Sequence, residues 1–208
     1  MRLVLASNNA KKLKELSAML SGMSLELVAQ GELGITEADE PHHTFIENAL
    51  AKARHAAAAA QGAAMADDSG LCVDALSGAP GVVSAHYAGE VPADGDREAR
   101  RRLQDAANNN LLLQRLAGKT NRRAHFISTL VAVRHAQDPQ PLVAVGRWPG
   151  EILSAPRGDQ GFGYDPLMFI PELGRTVAEM DAALKNQHSH RSRAMVQMQV
   201  LLREVWSL

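Results

Sequence analysis

The sequence predicts an α/β protein built on a mixed β-sheet, and three observations predict it. The chain opens with an apolar run (Leu3, Val4, Leu5), a polar loop and a helix-period segment, the order of a crossover unit. Two apolar runs, "AHFISTLVAV" and "PLVAVGRWPGEIL", are joined by "RHAQDPQP", which predicts an antiparallel hairpin. The remaining long segments space their apolar residues as helices do.

In chain order, "LASNNAKKLKEL" passes from a buried strand through a polar loop into a helix carrying Leu13, Leu16 and Leu20 on one face. Its first turn holds Lys11 and Lys12. Cations are unfavourable at the positive end of a helix, so an anion is expected there. "TFIE" places Thr44 at a helix N-cap with Glu47 three residues on, a capping box, and an alanine-rich helix follows until Gly62. "AAMADDSGLCVDAL" reads as a short strand ending at Asp67 or Asp68, a turn, and a second strand. "DREARRRLQDAANNNLLLQRLAG" reads as two helices broken near Asn108 and closing at Gly118. "GDQGFGYDPLMFIPELG" is punctuated by glycine and proline as a loop region. The last helix, residues 192–206, sets Met195, Met198, Leu202 and Val205 on one face, which is expected to be core.

Bulk composition narrows the function. A chain of 208 residues with 46% hydrophobic and 22% charged residues can bury a full core as one domain, 1–208. A formal net charge of −1 lacks the basic excess of a nucleic-acid binder, so any polyanion must be read by a local cluster. Cys72 is the single cysteine, which excludes an internal disulfide and fits a reducing compartment. No uncharged apolar run approaches membrane-spanning length, and the N-terminal order of strand then lysines is the reverse of a signal peptide. A cytoplasmic enzyme or binding protein is expected, with neither membrane nor nucleic acid as partner.

Four clusters could carry chemistry. In the loop of Ser7, Asn8, Asn9 and Ala10 leading to Lys11 and Lys12, backbone N–H groups and an ammonium could converge on a phosphate, without the glycines of a Walker A loop. Asn48 and Lys52 are i and i+4 on the capped helix, with Glu40 just before it. In "DDSG", strand alternation sends Asp67 and Asp68 to opposite sides, and carboxylates there suit Mg²⁺, although the same four residues also suit a plain turn. In "GFGYDP" with Lys185 and "HSHRSRA", Phe162 and Tyr164 offer faces on which a base could stack, while His190 and Arg191 are donors for carbonyl oxygens.

Taken in order, "LASNNAKKLKEL", "TFIENALAKARHAA", "ADDSGLCVDALSGAPGVVSAHYAG", "GFGYDPLMFIPELG", "TVAEM" and "KNQHSHRSRA" resemble the inosine triphosphate pyrophosphatase family over essentially the whole chain. The resemblance implies an elongated two-lobed fold, a long mixed sheet flanked by helices with a nucleotide cleft between the lobes, and a homodimer. It implies hydrolysis of the noncanonical purine nucleotides ITP, dITP and XTP to monophosphate and pyrophosphate with Mg²⁺. By position it implies that Ser7, Asn8, Asn9, Ala10, Lys11 and Lys12 grip the triphosphate with Lys52 nearby. Asp68 becomes the catalytic carboxylate, and Glu40 with Asp68 the metal ligands. Glu37 and Asp39 are near substitutes for Glu40. Ser69 touches the substrate, and Phe162, Gly163, Tyr164, Asp165, Lys185, His190 and Arg191 hold base and sugar. A non-catalytic nucleotide sensor of the same fold is the alternative.

Overall fold

A computed structural model of the chain describes residues 1–91 and 96–208, with the side chains of Ala10, Lys11 and Arg97 outside that description. The elements are β1 (Arg2–Leu5), α1 (Ala10–Leu20), β2 (Glu26–Ala29), α2 (Phe45–Ala60), β3 (Ala64–Val73), α3 (Arg97–Arg115), β4 (Arg123–Val133), β5 (Leu142–Ile152), β6 (Met168–Ile170), β7 (Arg175–Thr176), α4 (Ala182–His188) and α5 (His190–Trp206). Among the described residues the strands form one mixed sheet in the order β2-β1-β3-β4-β5-β6-β7, flanked by helices. β1 runs parallel to β2 and β3, whereas β6 runs antiparallel to β5 and β7. The expected α/β class with a mixed sheet is therefore the one formed. No helix among the described residues is long and apolar enough to cross a membrane.

The chain divides into two compact units. The first comprises Met1–Asp68, Ser128–Arg147 and Ser189–Leu208. Period-2 alternation along its strands builds two separate cores. Leu3, Leu5, Met65, Leu130 and Ala132 pack with Leu16 and Leu20 of α1 and with Ala194, Met195, Met198 and Leu202 of α5. Val4, Ala6, Ala64, Ala66, Val131 and Val133 pack instead with Ala49, Ala53, Ala56 and Ala57 of α2. The alanine tract thus serves as a thin helix face against the sheet. Leu16 is fully buried, and Leu16→Ala would cost ~2–5 kcal/mol in lost transfer energy and cavity formation.

The second unit comprises Ser69–Ile127 and Trp148–His188. Its core gathers Leu71 and Val73, Leu112 and Leu116 of α3, Phe126, Trp148, Ile152, Tyr164, Leu167 and Met168. Asp96 caps α3 by accepting from the Glu98 and Ala99 backbone N–H groups at 3.0 and 2.8 Å.

Several local expectations are corrected. β3 runs unbroken from Ala64 to Val73, with no turn at "DDSG". A turn there needs the aspartates to bond their own backbone, and both carboxylates are instead taken by distant cations. α3 is also continuous through Asn108. That side chain turns outward, accepting from Ala88 N at 2.9 Å and donating to Ala85 O at 3.0 Å, so it does not compete with its own helix. The region expected as loop contributes β6, and α4 precedes a final helix that begins at His190, not Ser192. Met195, Met198 and Leu202 are core as expected, but Val205 is exposed. Thr44 does cap α2, accepting from Glu47 N at 3.3 Å, and the stop is Gln61 in left-handed conformation one residue before Gly62.

Candidate active site

The first unit ends its parallel strands at one edge. Ser7 follows β1, Gln30 follows β2, and Asp67 and Asp68 lie on β3 just past its pairing with β1. Ligands of parallel sheets sit beyond such carboxyl ends. Alternation then assigns each carboxylate its partners. Asp67 shares its face with Met65, the side of α1 and α5. It meets Lys12 Nζ at 2.8 Å, Arg191 Nε at 3.3 Å and Ser128 Oγ at 2.7 Å. Asp68 shares its face with Ala66, the side of α2. It meets Lys52 Nζ at 3.0 Å, and the same ammonium reaches Glu40 at 2.9 Å.

The loop after β1 is ordered by its own side chains. Asn9 accepts from Lys12 N at 3.3 Å at the start of α1, and Ser7 Oγ accepts from Asn9 N at 3.2 Å. Within this unit Ala6, Ser7, Lys12, Gln30, Glu37, Ala38, Glu40, Lys52 and Asp67 line a cavity of about 110 Å³. Among the described residues no three of His, Cys, Asp and Glu gather as a metal cluster on their own.

Charge distributes unevenly between the adjacent aspartates. Burial pushes the Asp67 carboxyl up, but Lys12 and Arg191 outweigh it and hold the group ionised far below the usual range. Burial also pushes Asp68 up, and Lys52 only partly offsets this because the nearby Glu40 adds repulsion, so Asp68 rises to about 6. Burial of Glu40 is outweighed by the Lys52 hydrogen bond and charge, which lower it. Burial of Lys52 is outweighed by Asp68 and Glu40, which raise it. The result is a permanently ionised anchor beside a carboxyl poised near neutrality. Asp68 Oδ2 is buried and receives no donor among the described residues.

A second cluster lies within the other unit. Asp165 accepts from Phe162 N at 2.9 Å and from Lys185 Nζ at 2.6 Å. The Phe162 ring carries Arg101 and Lys185 cations, each 4.5 Å from its centroid. From α3, Asp105 accepts from Gly163 N at 2.8 Å and Asn109 Nδ2 donates to Gly163 O at 3.0 Å. Ser69 follows Asp68 on β3 and is half-buried.

A model of the Ham1 family matches residues 3–201. The chain belongs to the Ham1 family. It is 68% identical over 206 residues to a dITP/XTP pyrophosphatase of Methylibium petroleiphilum, covering 99% of each chain. It is 66% identical to a dITP/XTP pyrophosphatase of Leptothrix cholodnii, covering 100% of each. Among solved structures, a HAM1 protein from Coxiella burnetii superposes with a TM-score of 0.89 at 39% identity, covering 99% of this chain and 100% of that one.

In this Ham1-family chain, the structure brings some of the expected site residues together and sets others among different partners. Glu40, Lys52 and Asp68 converge, and Glu40 rather than Glu37 or Asp39 holds Lys52. The side chains of Ala10 and Lys11 lie outside the described residues. Arg191 was expected to read a base carbonyl. It is instead buried, its guanidinium turned to Asp67 and to Glu15 at 2.6 Å. Tyr164 was expected to offer a stacking face. Its ring is core and its hydroxyl donates to Ser84 O at 2.8 Å, which leaves Phe162 as the aromatic at that loop. His190 opens α5 behind the Ser189 cap, with its carbonyl packed on Gly146. Sequence reading missed Asp67 as an anchor, together with Glu15 and Ser128. For Asp67 the signal was present, since two residues along a strand from Met65 means the same face.

Proposed function

We propose that this protein hydrolyses ITP, dITP and XTP at the α–β phosphoanhydride bond, releasing the nucleoside monophosphate and pyrophosphate and so clearing these nucleotides from the pool. The observation that carries the reading is the Glu40–Lys52–Asp68 group at the carboxyl edge of the sheet, beside Lys12. It occurs in a chain similar end to end to dITP/XTP pyrophosphatases.

Each residue has a part. Ser7, Asn8 and Asn9 with Lys12 receive the phosphates at the start of α1, where N–H groups and the ammonium favour anions. Lys52 neutralises phosphate oxygens as charge shifts toward the leaving pyrophosphate. Asp68 accepts the proton of the water that attacks the α-phosphorus. The new P–O bond forms as the bond to the β-phosphate oxygen breaks and pyrophosphate departs. A carboxyl near 6 is ionised at neutral pH yet basic enough for this. Asp67 touches no substrate atom in this scheme. It is a positioning residue that keeps Lys12 and Arg191 in place.

Glu40 and Asp68 also fit Mg²⁺, which takes hard oxygens from one or two carboxylates and completes its shell with waters and phosphates. The bare Asp68 Oδ2 supplies such an oxygen. When bound, the ion would neutralise phosphate charge during displacement. Phe162, Gly163, Asp165 and Lys185 hold base and sugar, and His190 donates to the purine O6, which adenine lacks. An adenine amino group would face a donor and leave it unpaired, a mismatch that can discriminate by ~10⁴. Residues 1–208 act as one catalytic domain, working as a homodimer in the cytoplasm.

The test is release of pyrophosphate from ITP, XTP, dITP, GTP and ATP, with and without Mg²⁺, with orthophosphate counted separately. Mg²⁺-dependent pyrophosphate from the first three, with little from GTP or ATP, is the expected result. Orthophosphate as the first product would move the cleaved bond and overturn the mechanism. Binding without turnover would make the protein a sensor.

A further inference from the structure

The cavity at the sheet edge contains one buried polar group that the scheme above does not use. Gln30 is the first residue after β2 and opens a 3₁₀ turn whose end, at Gly34 and Ile35, bonds back to the Gln30 carbonyl. That return pins the backbone, and Gly31 beside it packs so close to Asn8 that a Cβ would stand 2.7 Å from Asn8 Oδ1. Gln30 is only 2% exposed, yet it lines the cavity with Lys12, Glu40 and Lys52. Its carboxamide makes no hydrogen bond among the described residues.

A carboxamide offers two donor and two acceptor positions, and leaving them unmet inside a protein costs free energy. Something in the cavity therefore meets them. The cavity, about 110 Å³, has room for several waters. Its lining sets three carboxylates, Glu37, Glu40 and Asp67, against two ammoniums, Lys12 and Lys52, and the negative excess suits a hydrated cation beside the phosphates that the lysines receive. A neutral amide accepts from one bound water and donates to another without altering the charge of the site.

We propose that Gln30 is a positioning residue for the divalent cation, holding the ion's waters at the floor of the cavity while Glu40 and Asp68 supply the direct ligands. The inference rests on the cation reading of those two carboxylates. Outer partners of this kind typically contribute ten- to a hundredfold in metal affinity. Gln30→Met keeps the size and removes the polar atoms; Gln30→Glu keeps the size and the acceptor.

The experiment is titration of the substrate-free protein with Mn²⁺, followed through the EPR signal of the free ion, beside thermal melts of each variant without metal. Gln30→Met is expected to weaken Mn²⁺ binding about tenfold or more with its melting midpoint held, while Gln30→Glu binds at least as tightly as the unsubstituted protein. Equal affinity in Gln30→Met overturns the role of Gln30 and leaves Glu40 and Asp68 as ligands. Equal loss in both variants overturns it as well, because only packing would then matter. Failure of the unsubstituted protein to take up Mn²⁺, with Glu40→Gln indistinguishable from it, removes the cation reading and the inference together.

Discussion

Lys12 Nζ lies 2.8 Å from Asp67 Oδ2, at the start of a helix whose dipole disfavours a cation. An anion at this helix end was expected from the lysines alone. In the free protein that anion is a side chain of β3. Asp67 is completely buried at its side chain and also faces Arg191, so one carboxylate answers two cations.

Removing it takes the carboxylate from Lys12 and one of two carboxylates from Arg191, whose other is Glu15. Asp67→Asn should destabilise the protein by ~3–5 kcal/mol, the usual cost of breaking a buried pair from one side. Urea unfolding at neutral pH measures this, and a change within ~0.5 kcal/mol would refute the anchoring role.

Asp68→Asn should separate stability from activity. A carboxyl raised from 3.8 to about 6 favours its protonated form in the folded state. The folded protein therefore loses stability relative to the unfolded chain as pH rises from about 4 to 6, by ~3 kcal/mol at most for two pH units. The asparagine variant lacks that loss, so its stability relative to the unsubstituted protein should improve over the same window. Its kcat should fall at least ~100-fold. A flat difference in unfolding free energy between pH 4 and 7 would contradict the raised pKa.

Lys52→Met should move Asp68 further upward. Lys52 is the cation that holds the rise in check, and without it burial and Glu40 act unopposed. In the metal-free protein, the ¹³C carboxyl titration of Asp68 should shift from about 6 to a higher midpoint. A midpoint that stayed or fell would show that Lys52 is not its controlling charge.

Gly146→Ala should disturb the start of α5. A Cβ there would overlap the His190 carbonyl and the Ala194 amide, both backbone atoms that cannot swing aside. Overpacking of this kind costs ~1–3 kcal/mol or more. It should also shift the His190 and Arg191 signals in an NMR spectrum, whereas unchanged signals with native stability would place the two segments further apart.

Asn108→Ala tests the continuity of α3. The helix itself should gain, since alanine is the better former. The Ser84 and Ala85 carbonyls and the Ala88 N–H would each lose a partner, for a net loss of ~2–3 kcal/mol. Net stabilisation would mean that those groups find other partners.

Local chemistry made much of this protein legible in advance. Leu3, Val4 and Leu5 specify a buried strand whatever lies around them, and Thr44 with Glu47 caps a helix using only its own first turn. The family was legible too, because its motifs are runs of neighbouring residues. What failed were readings that depend on where a polar side chain finds its partner. "DDSG" and "AANNN" both favour turns or breaks when their side chains bond locally. Tertiary structure carried Asp67, Asp68 and Asn108 to partners 16 or more residues away, so the strand and the helix continued. The same holds for Arg191, whose donors suit a base but whose partners are Asp67, 124 positions earlier, and Glu15, 176 positions earlier. Periodicity decides which face a residue occupies; only the packed sheet and helices decide which charge stands opposite it.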